Sequence, residues 1–428
     1  MTSALFDANL PIDVAVIGGG PSGLAAATAL KAAGVARVVV LEREAEAGGI
    51  PRHCGHHPFG MREFNRVLKG PDYAARLVDR ARKAGVEIHT LCTVVEALPH
   101  GRLSLSVPGG TGLMAAKRVI YATGSRETPR SARLISGARV GGVLNTGSLQ
   151  AMVYLKGLRP FERPVIIGSE LVAFSALMTC AHASIRPAAM IESAMRATAR
   201  WPIPLFARMQ GVPLMTGTTL LSIEGGDKVE AVRVRTANGE TLDIDCDGVV
   251  LTGVFTPESA LARCGHLAVD AATGGPVVDQ WGRCSDPAYF ATGNVLRPVE
   301  TAGWCWAEGR RAGNWVAKDL ENALPRPAST VPVIIGDRRL KYVVPQQLGL
   351  FPNRSGMDVF QLRVREPVSG HLIACCNGKQ LFSQRMNSCA ERRITVPIEK
   401  LRALEPGGVV SFLIEPVEKP QDRAPPAL

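Results

Sequence analysis

Val14-Ala15-Val16-Ile17-Gly18-Gly19-Gly20-Pro21-Ser22-Gly23 is an apolar strand running straight into a G-x-G-x-x-G turn, followed from Leu24 to Leu30 by a small-residue helix start. In such a turn the first glycine permits the tight bend, the second lets backbone approach a pyrophosphate, and the third lets the helix pack close to the strand. Phosphates then meet a helix N-terminus, whose free N–H groups and dipole favour negative charge. The next apolar stretch, Ala36-Arg37-Val38-Val39-Val40-Leu41, ends at Glu42, 19 residues beyond Gly23. An acid at that distance accepts hydrogen bonds from an adenosine ribose, and an acid in place of an arginine argues against a 2′-phosphate. Strand, turn, helix, strand and acid in this order predict a dinucleotide site over a purely structural glycine turn.

The pattern recurs once, in altered form. Val165-Ile166-Ile167 leads into Gly168-Ser169-Glu170-Leu171-Val172-Ala173, with Glu170 where the middle glycine belongs. A carboxylate there adds bulk and like-charge repulsion at the point of closest phosphate approach; Ala173 is a tolerated variant of the third glycine. Two outcomes stay open. Glu170 could swing outward and leave NAD(P)H binding intact, or the second domain keeps its fold and has lost its ligand or holds another, such as an adenine nucleotide.

Val119-Ile120-Tyr121-Ala122-Thr123-Gly124 and Tyr289-Phe290-Ala291-Thr292-Gly293-Asn294 are both strands running into A-T-G turns. With the N-terminal motif they resemble the flavoproteins with two dinucleotide-binding domains, a group that includes thioredoxin reductase-like enzymes. That resemblance implies FAD as cofactor. It places an acid of the second turn on the ribityl chain and phosphate; here the position is Asn294, which hydrogen-bonds without charge. It also implies that the helix opened by Glu300-Thr301-Ala302-Gly303 faces the flavin N1/O2 edge, where its dipole favours negative charge.

Gly48-Gly49-Ile50-Pro51-Arg52-His53-Cys54-Gly55-His56-His57 is the densest polar cluster in the chain. It is read as a cofactor-covering loop, with Gly48-Gly49 on the pyrophosphate and Arg52 balancing charge. A histidine proton shuttle at the flavin and a metal site built from His53, Cys54, His56 and His57 are the alternatives, although ligands so close in sequence rarely close a tetrahedral site. No metal is expected. The ten cysteines contain no C-x-x-C, which speaks against a relay disulfide and against an iron–sulfur centre in this chain.

At 428 residues the chain can hold two or three domains, and 46% hydrophobic with 20% charged residues places it in the globular class. No apolar run approaches the ~18–20 residues of a membrane span, and the N-terminus does not read as a secretory signal. Reduced cysteines agree with a cytoplasmic setting, with attachment to the inner membrane only through partners. The net charge is +11, but its basic residues, such as Arg80, Arg82, Lys83, Arg130, Arg310 and Arg311, are dispersed without an aromatic-interleaved stripe, so nucleic acid is not the expected partner.

The expected fold is α/β: two Rossmann-like dinucleotide-binding domains, the second inserted in the first, plus a small C-terminal β domain. Residues 1–128 and 247–323 are assigned to the FAD-binding domain, 129–246 to the inserted degenerate domain, 331–416 to the β-rich domain, and 417–428 to a disordered tail. The β domain is read from alternating segments such as Val359–Val364 and Arg393–Ile398, with Gly370, Asn377-Gly378 and Gly407-Gly408 as turns. Carrying no cluster of chemistry-bearing residues, it is expected to serve docking rather than catalysis.

A narrower resemblance rests on Gly49-Ile-Pro-Arg-His-Cys-Gly-His56, Phe59-Gly-Met-Arg-Glu-Phe64, Val172-Ala-Phe-Ser-Ala-Leu177 and Glu300-Thr-Ala-Gly-Trp-Cys-Trp-Ala-Glu-Gly309. These stretches look like the α (A) subunits of hetero-oligomeric dye-linked amino-acid and opine dehydrogenases, a group including proline and hydroxyproline dehydrogenases and the middle subunit of hydrogen cyanide synthase. The resemblance implies a partner flavoprotein subunit of the D-amino-acid-oxidase type that oxidises the amine, with this chain's FAD passing electrons to quinone or dye. It also admits a small ferredoxin-like [2Fe–2S] subunit. It implies cofactor contacts at Gly18, Gly20, Pro21, Ser22, Gly23, Glu42, Arg43, Gly49, Ile50, Val94, Ala122, Thr123, Gly124, Gly293, Asn294, Thr301 and Ala302. A stand-alone NAD(P)H-dependent FAD reductase and a non-catalytic flavin-bound scaffold are the competing functions. No catalytic base is assigned.

Overall fold

In the computed structural model the described residues are 11–327, 329–350, 356–401, 404 and 406–416. The N-terminal segment read for a signal and the expected tail lie outside them.

The first sheet carries five parallel strands in the spatial order Glu87–His89, Val38–Leu41, Ile12–Ile17, Gly110–Tyr121, Tyr289–Ala291. Thr93–Leu98 and Arg102–Val107 extend it as an antiparallel meander on Gly110–Tyr121. Val14–Ile17 and Val38–Leu41 are buried throughout, as continuous apolar runs must be when both faces of a parallel sheet are covered. On one face the Pro21–Ala32 and Ala302–Leu320 helices lie against each other so closely that a Cβ on Gly309 would stand 2.0 Å from Ser22 O, and one on Gly313 2.4 Å from Ala26 O. Both helices therefore pack with almost no slack.

The inserted domain is a five-stranded, all-parallel sheet ordered Leu214–Thr216, Ala189–Glu192, Pro164–Ile167, Gly248–Leu251, Val143–Asn145. Its place corrects one expected boundary. Gly248–Leu251 does not return to the FAD domain at 247; it pairs with Pro164–Ile167 at the centre of the inserted sheet. The chain crosses back only afterwards, where Phe255–Pro257 runs antiparallel to Ser125–Glu127. A second small sheet, containing Thr219–Glu224, Ala231–Arg235 and Thr241–Asp245, completes the insert.

The C-terminal domain is β, as expected. A five-stranded sheet containing the Val368–Cys376/Lys379–Ser388 hairpin packs with a three-stranded sheet of Leu340–Val344, Val359–Val364 and Ile394–Pro397 around a core that includes Phe360, Leu362, Ala374 and Phe412. Asn377 and Gly378 take φ of 49° and 79° at the tip, the left-handed pair that a two-residue hairpin turn needs. Gly370 is not a turn. It lies inside Val368–Cys376, where a side chain would meet Glu415 O at 2.4 Å. Among the described residues no helix is long and apolar enough to cross a membrane.

Candidate cofactor site and the altered second turn

The register of the first sheet builds the site. Ile17 pairs with Leu41 on one side and Tyr121 on the other, and Tyr121 pairs with Ala291. Four strands thus end at one level, and the residues that follow them, Gly18, Glu42, Ala122 and Thr292, share one edge of the sheet. Hydrogen bonds from Gly18 N to Leu41 O, Ala122 N to Ile17 O and Thr292 N to Tyr121 O, each 2.9 Å, fix that edge. Motifs up to 270 residues apart meet there: Ser22 Oγ lies 3.2 Å from Thr292 Oγ1.

The glycines differ in the room around them. Gly18 has φ of 106°, and a Cβ on it would stand 2.5 Å from Ala122 O; one on Gly23 would be 2.0 Å from Gly18 O. A Cβ on Gly20 would meet nothing closer than Gly49 Cα, at 3.9 Å. Gly20 is also the N-cap of the Pro21–Ala32 helix and brings no side-chain cap, so the first-turn N–H groups remain for a ligand. Gly49, at φ of 65°, closes on Gly20. An open backbone cradle at an uncapped helix start fits a pyrophosphate.

Glu42 is buried at the strand end, its Oε2 accepting from Gly19 N–H and Oε1 from Glu44 N–H, both 2.9 Å. A carboxylate has further lone pairs, so capacity for ribose hydroxyls remains. Arg43 is exposed and loosely paired with Glu44 at 3.9 Å, Ile50 is exposed, and Val94 is buried in the Thr93–Leu98 strand. Thr123 Oγ1 donates to Glu258 O at 2.7 Å, while a Cβ on Gly124 would meet nothing within 4 Å. Gly293, at φ of 78°, abuts Ser22.

Asn294 is held by the chain itself. Both polar ends of its amide are taken by the Glu300 backbone, with Nδ2 to Glu300 O at 3.1 Å and Glu300 N to Oδ1 at 2.7 Å. It ties off the loop ahead of Thr301, the N-cap of the Ala302–Leu320 helix.

The second turn repeats the first and then blocks it. Gly168 has φ of 124°, and the Leu171–His182 helix is as long as its counterpart, 12 residues. Glu170 turns inward. A Cβ on Gly168 would lie 2.7 Å from Glu170 Oε2, and one on Gly253 2.6 Å from Oε1, so the carboxylate occupies the space between the two glycine turns. Its Oε2 accepts from Ser169 N at 3.1 Å; Oε1 is shielded without a hydrogen-bond partner. Burial raises its pKa, and the neighbouring Glu192 charge adds to the rise.

Glu192 is a residue the sequence reading missed. It accepts from Ser169 Oγ and from Ala194 N at 2.8 Å, and 23 residues separate it from Ser169, as 23 separate Glu42 from Gly19. Measuring the second copy with the spacing of the first would have found it. Glu192 thus stands in the insert at the spacing Glu42 has in the first sheet, and the Glu170 carboxylate lies between Gly168 and Gly253.

The polar loop lies at the seam between the domains. Cys54 Sγ is 3.5 Å from Gln150 Oε1, and Gln150 donates in turn to Ser175 Oγ at 2.6 Å. Tyr154 packs where a Gly55 side chain would stand and stacks on His182. Burial, assisted by the nearby Glu127, pushes the Cys54 thiol up to about 12, so it is no thiolate nucleophile. Burial and Arg52 lower His53, which favours the neutral ring. Glu127 accepts from Gly147 N at 2.9 Å and Gly253 N at 3.2 Å, and burial raises it to about 7. Among the described residues no cluster of three or more His, Cys, Asp or Glu could hold a metal, and the ten cysteines are free.

The sequence profile of the pyridine nucleotide-disulphide oxidoreductases matches residues 12–309. The A subunit of opine oxidase from Rhizobium meliloti is 24% identical over 66% of this chain, and the match spans 58% of that protein. The alpha subunit of sarcosine oxidase from Corynebacterium sp. (strain P-1) is 26% identical over 77% of the chain and 36% of its own, longer length. The thioredoxin reductase of T. acidophilum superposes with a TM-score of 0.60 at 21% identity, over 72% of this chain and 98% of the other, a likeness of fold.

Proposed function

The chain belongs to the pyridine nucleotide-disulphide oxidoreductase family and is an FAD-dependent oxidoreductase, and within that family we propose that it is one component of a hetero-oligomeric dehydrogenase or oxidase acting on an amino acid, opine or related amine. In this reading a partner flavoprotein subunit supplies the electrons, which leave to quinone or dye. FAD, when bound, supplies acceptance of an electron pair and its onward release. The chain's own residues bind and orient it. Gly18, Gly20 and Gly23 leave room for the pyrophosphate, with Pro21 and Ser22 opening the helix there; Glu42 takes the ribose hydroxyls, and Thr301 and Ala302 start the helix that faces the flavin.

The observation that carries the partner-fed reading is the Glu170 carboxylate seated between Gly168 and Gly253. A chain that binds FAD but has filled its own nicotinamide cradle needs electrons from elsewhere. Similarity to subunits of opine and sarcosine oxidases supports the same direction. Glu192, at the spacing of the ribose acid, favours a stand-alone NAD(P)H-dependent reductase.

The test is isolation of the untagged assembly from its native source. A second flavin-bearing chain is expected in it, and adding the amine substrate to the intact assembly should reduce this chain's flavin. Isolation of this chain as the sole flavoprotein, with no amino acid or opine able to reduce it, would overturn the proposal.

A further inference from the structure

The loop between the second A-T-G turn and the flavin-facing helix is held by the C-terminal β domain. Glu300 directly precedes Thr301, and its side chain is 7% exposed. Its carboxylate takes Arg363 Nη2 at 2.9 Å and Arg393 Nε at 3.0 Å, with a second Arg393 contact through Nη2. Arg363 Nη2 also donates to Val299 O, and Tyr342 OH donates to Pro298 O at 3.1 Å. Arg297, fully buried, donates to Gly293 O at 2.9 Å, pairs with Glu308, and donates to Gln361 Oε1 at 2.9 Å. Four β-domain side chains, those of Tyr342, Gln361, Arg363 and Arg393, thus fasten one loop.

We propose that Arg363 and Arg393 are positioning residues for the flavin, acting through Glu300 on the start of the Ala302–Leu320 helix. Removing charges from water costs free energy, and only close pairing offsets it. A domain that merely docked could do so through an apolar seam; here charges converge on the residue ahead of the helix N-cap. Burial alone would raise the Glu300 pKa, yet Arg393, Arg297 and Arg363 outweigh it and hold the carboxyl below its usual range. Arg297, Arg363 and Arg393 act together on Glu300 beside the positive end of the helix dipole, with Glu308 and Glu391 as further partners of Arg297 and Arg363. Positive charge there favours flavin in its reduced, anionic form. Arg393 also lies over the Trp304 ring, 4.0 Å from its centroid, and so grips the first turn of that helix directly. The β domain is accordingly part of the cofactor site. This inference rests on the FAD site and is independent of the source of electrons.

The experiment measures the flavin midpoint potential and the FAD dissociation constant of the full chain, for wild type, Arg393→Gln, Arg393→Lys and Glu300→Gln, with Lys379→Gln in the exposed hairpin as control. Arg393→Gln should lower the potential and raise the FAD dissociation constant about tenfold, a change of about 1.4 kcal/mol. Arg393→Lys keeps the charge without the two-pronged contact. It should hold the potential near wild type, with weakened FAD affinity. Glu300→Gln should move the potential upward, the opposite way, while also weakening affinity. A folded Arg393→Gln protein with wild-type potential and wild-type affinity would overturn the proposal; should that variant fail to fold, Arg393→Lys with a potential shifted as far as that of Glu300→Gln would do so.

Discussion

Gly23→Ala is expected to purify with reduced FAD content: alanine is accommodated at the third position of the second turn, at Ala173, but the first turn is closed so tightly on Gly23 that the added methyl must displace backbone. The added methyl would stand 2.0 Å from Gly18 O and 3.2 Å from Val16 Cγ1. Relief requires the Pro21–Ala32 helix to move off the sheet, and the way is closed on its other side by Gly309 against Ser22 O. The turn itself must therefore distort, and with it the cradle around Gly20. Gly112→Ala is the matched control: its Cβ would meet nothing within 4 Å, at a residue without positive φ, so flavin content and melting temperature should stay at wild-type values. The visible-to-ultraviolet absorbance ratio of the purified proteins reads both. Full flavin content in Gly23→Ala would refute the close-approach role of the third glycine.

Glu170→Gly is the second large effect, and its sign is a gain. The substitution removes the carboxylate from between Gly168 and Gly253 and restores the glycine that a pyrophosphate needs at that point. It also removes a buried oxygen that has no partner, so the variant should fold at least as well as wild type. Glu192 already stands where the ribose hydroxyls would come, which favours NADH over NADPH. The expected result is at least a tenfold rise in NADH affinity, the equivalent of about 1.4 kcal/mol, with NADH-driven flavin reduction appearing alongside it. Titration calorimetry reads the first and anaerobic stopped-flow absorbance the second. An unchanged NADH affinity would mean that other features of the insert, and not Glu170, exclude the nucleotide.

What could be read from the sequence follows the range of the interactions involved. Strand, glycine turn, helix and acid lie within thirty or so residues, and their spacing is set by local geometry, so the strand Ile12–Ile17, the helix Pro21–Ala32 and the buried acid Glu42 were legible. The A-T-G turns were legible as strand ends; that they share an edge with Gly18 depends on pairing of Ile17, Tyr121 and Ala291, which the expected fold supplied. Gly248–Leu251 was assigned to the wrong domain because a continuous apolar strand carries no mark of its neighbour, and only pairing with Pro164–Ile167 decides it. Gly370 was read as a turn for a similar reason: a glycine admitting a close carbonyl looks the same in sequence as one that bends the chain. The Asn294 clamp and the arginines on Glu300 were out of reach. Arg363 and Arg393 lie 63 and 93 residues from the carboxylate they hold, in a domain whose strands carry no motif.

The most direct test of the central claim, an FAD-bearing chain that its own inserted domain cannot charge with nicotinamide electrons, is the visible spectrum of the purified protein before and after adding NADH or NADPH without oxygen. The flavin spectrum should stay oxidised with either nucleotide and bleach with dithionite. Prompt bleaching by NADH or NADPH would contradict that claim and make the chain a nicotinamide-dependent reductase.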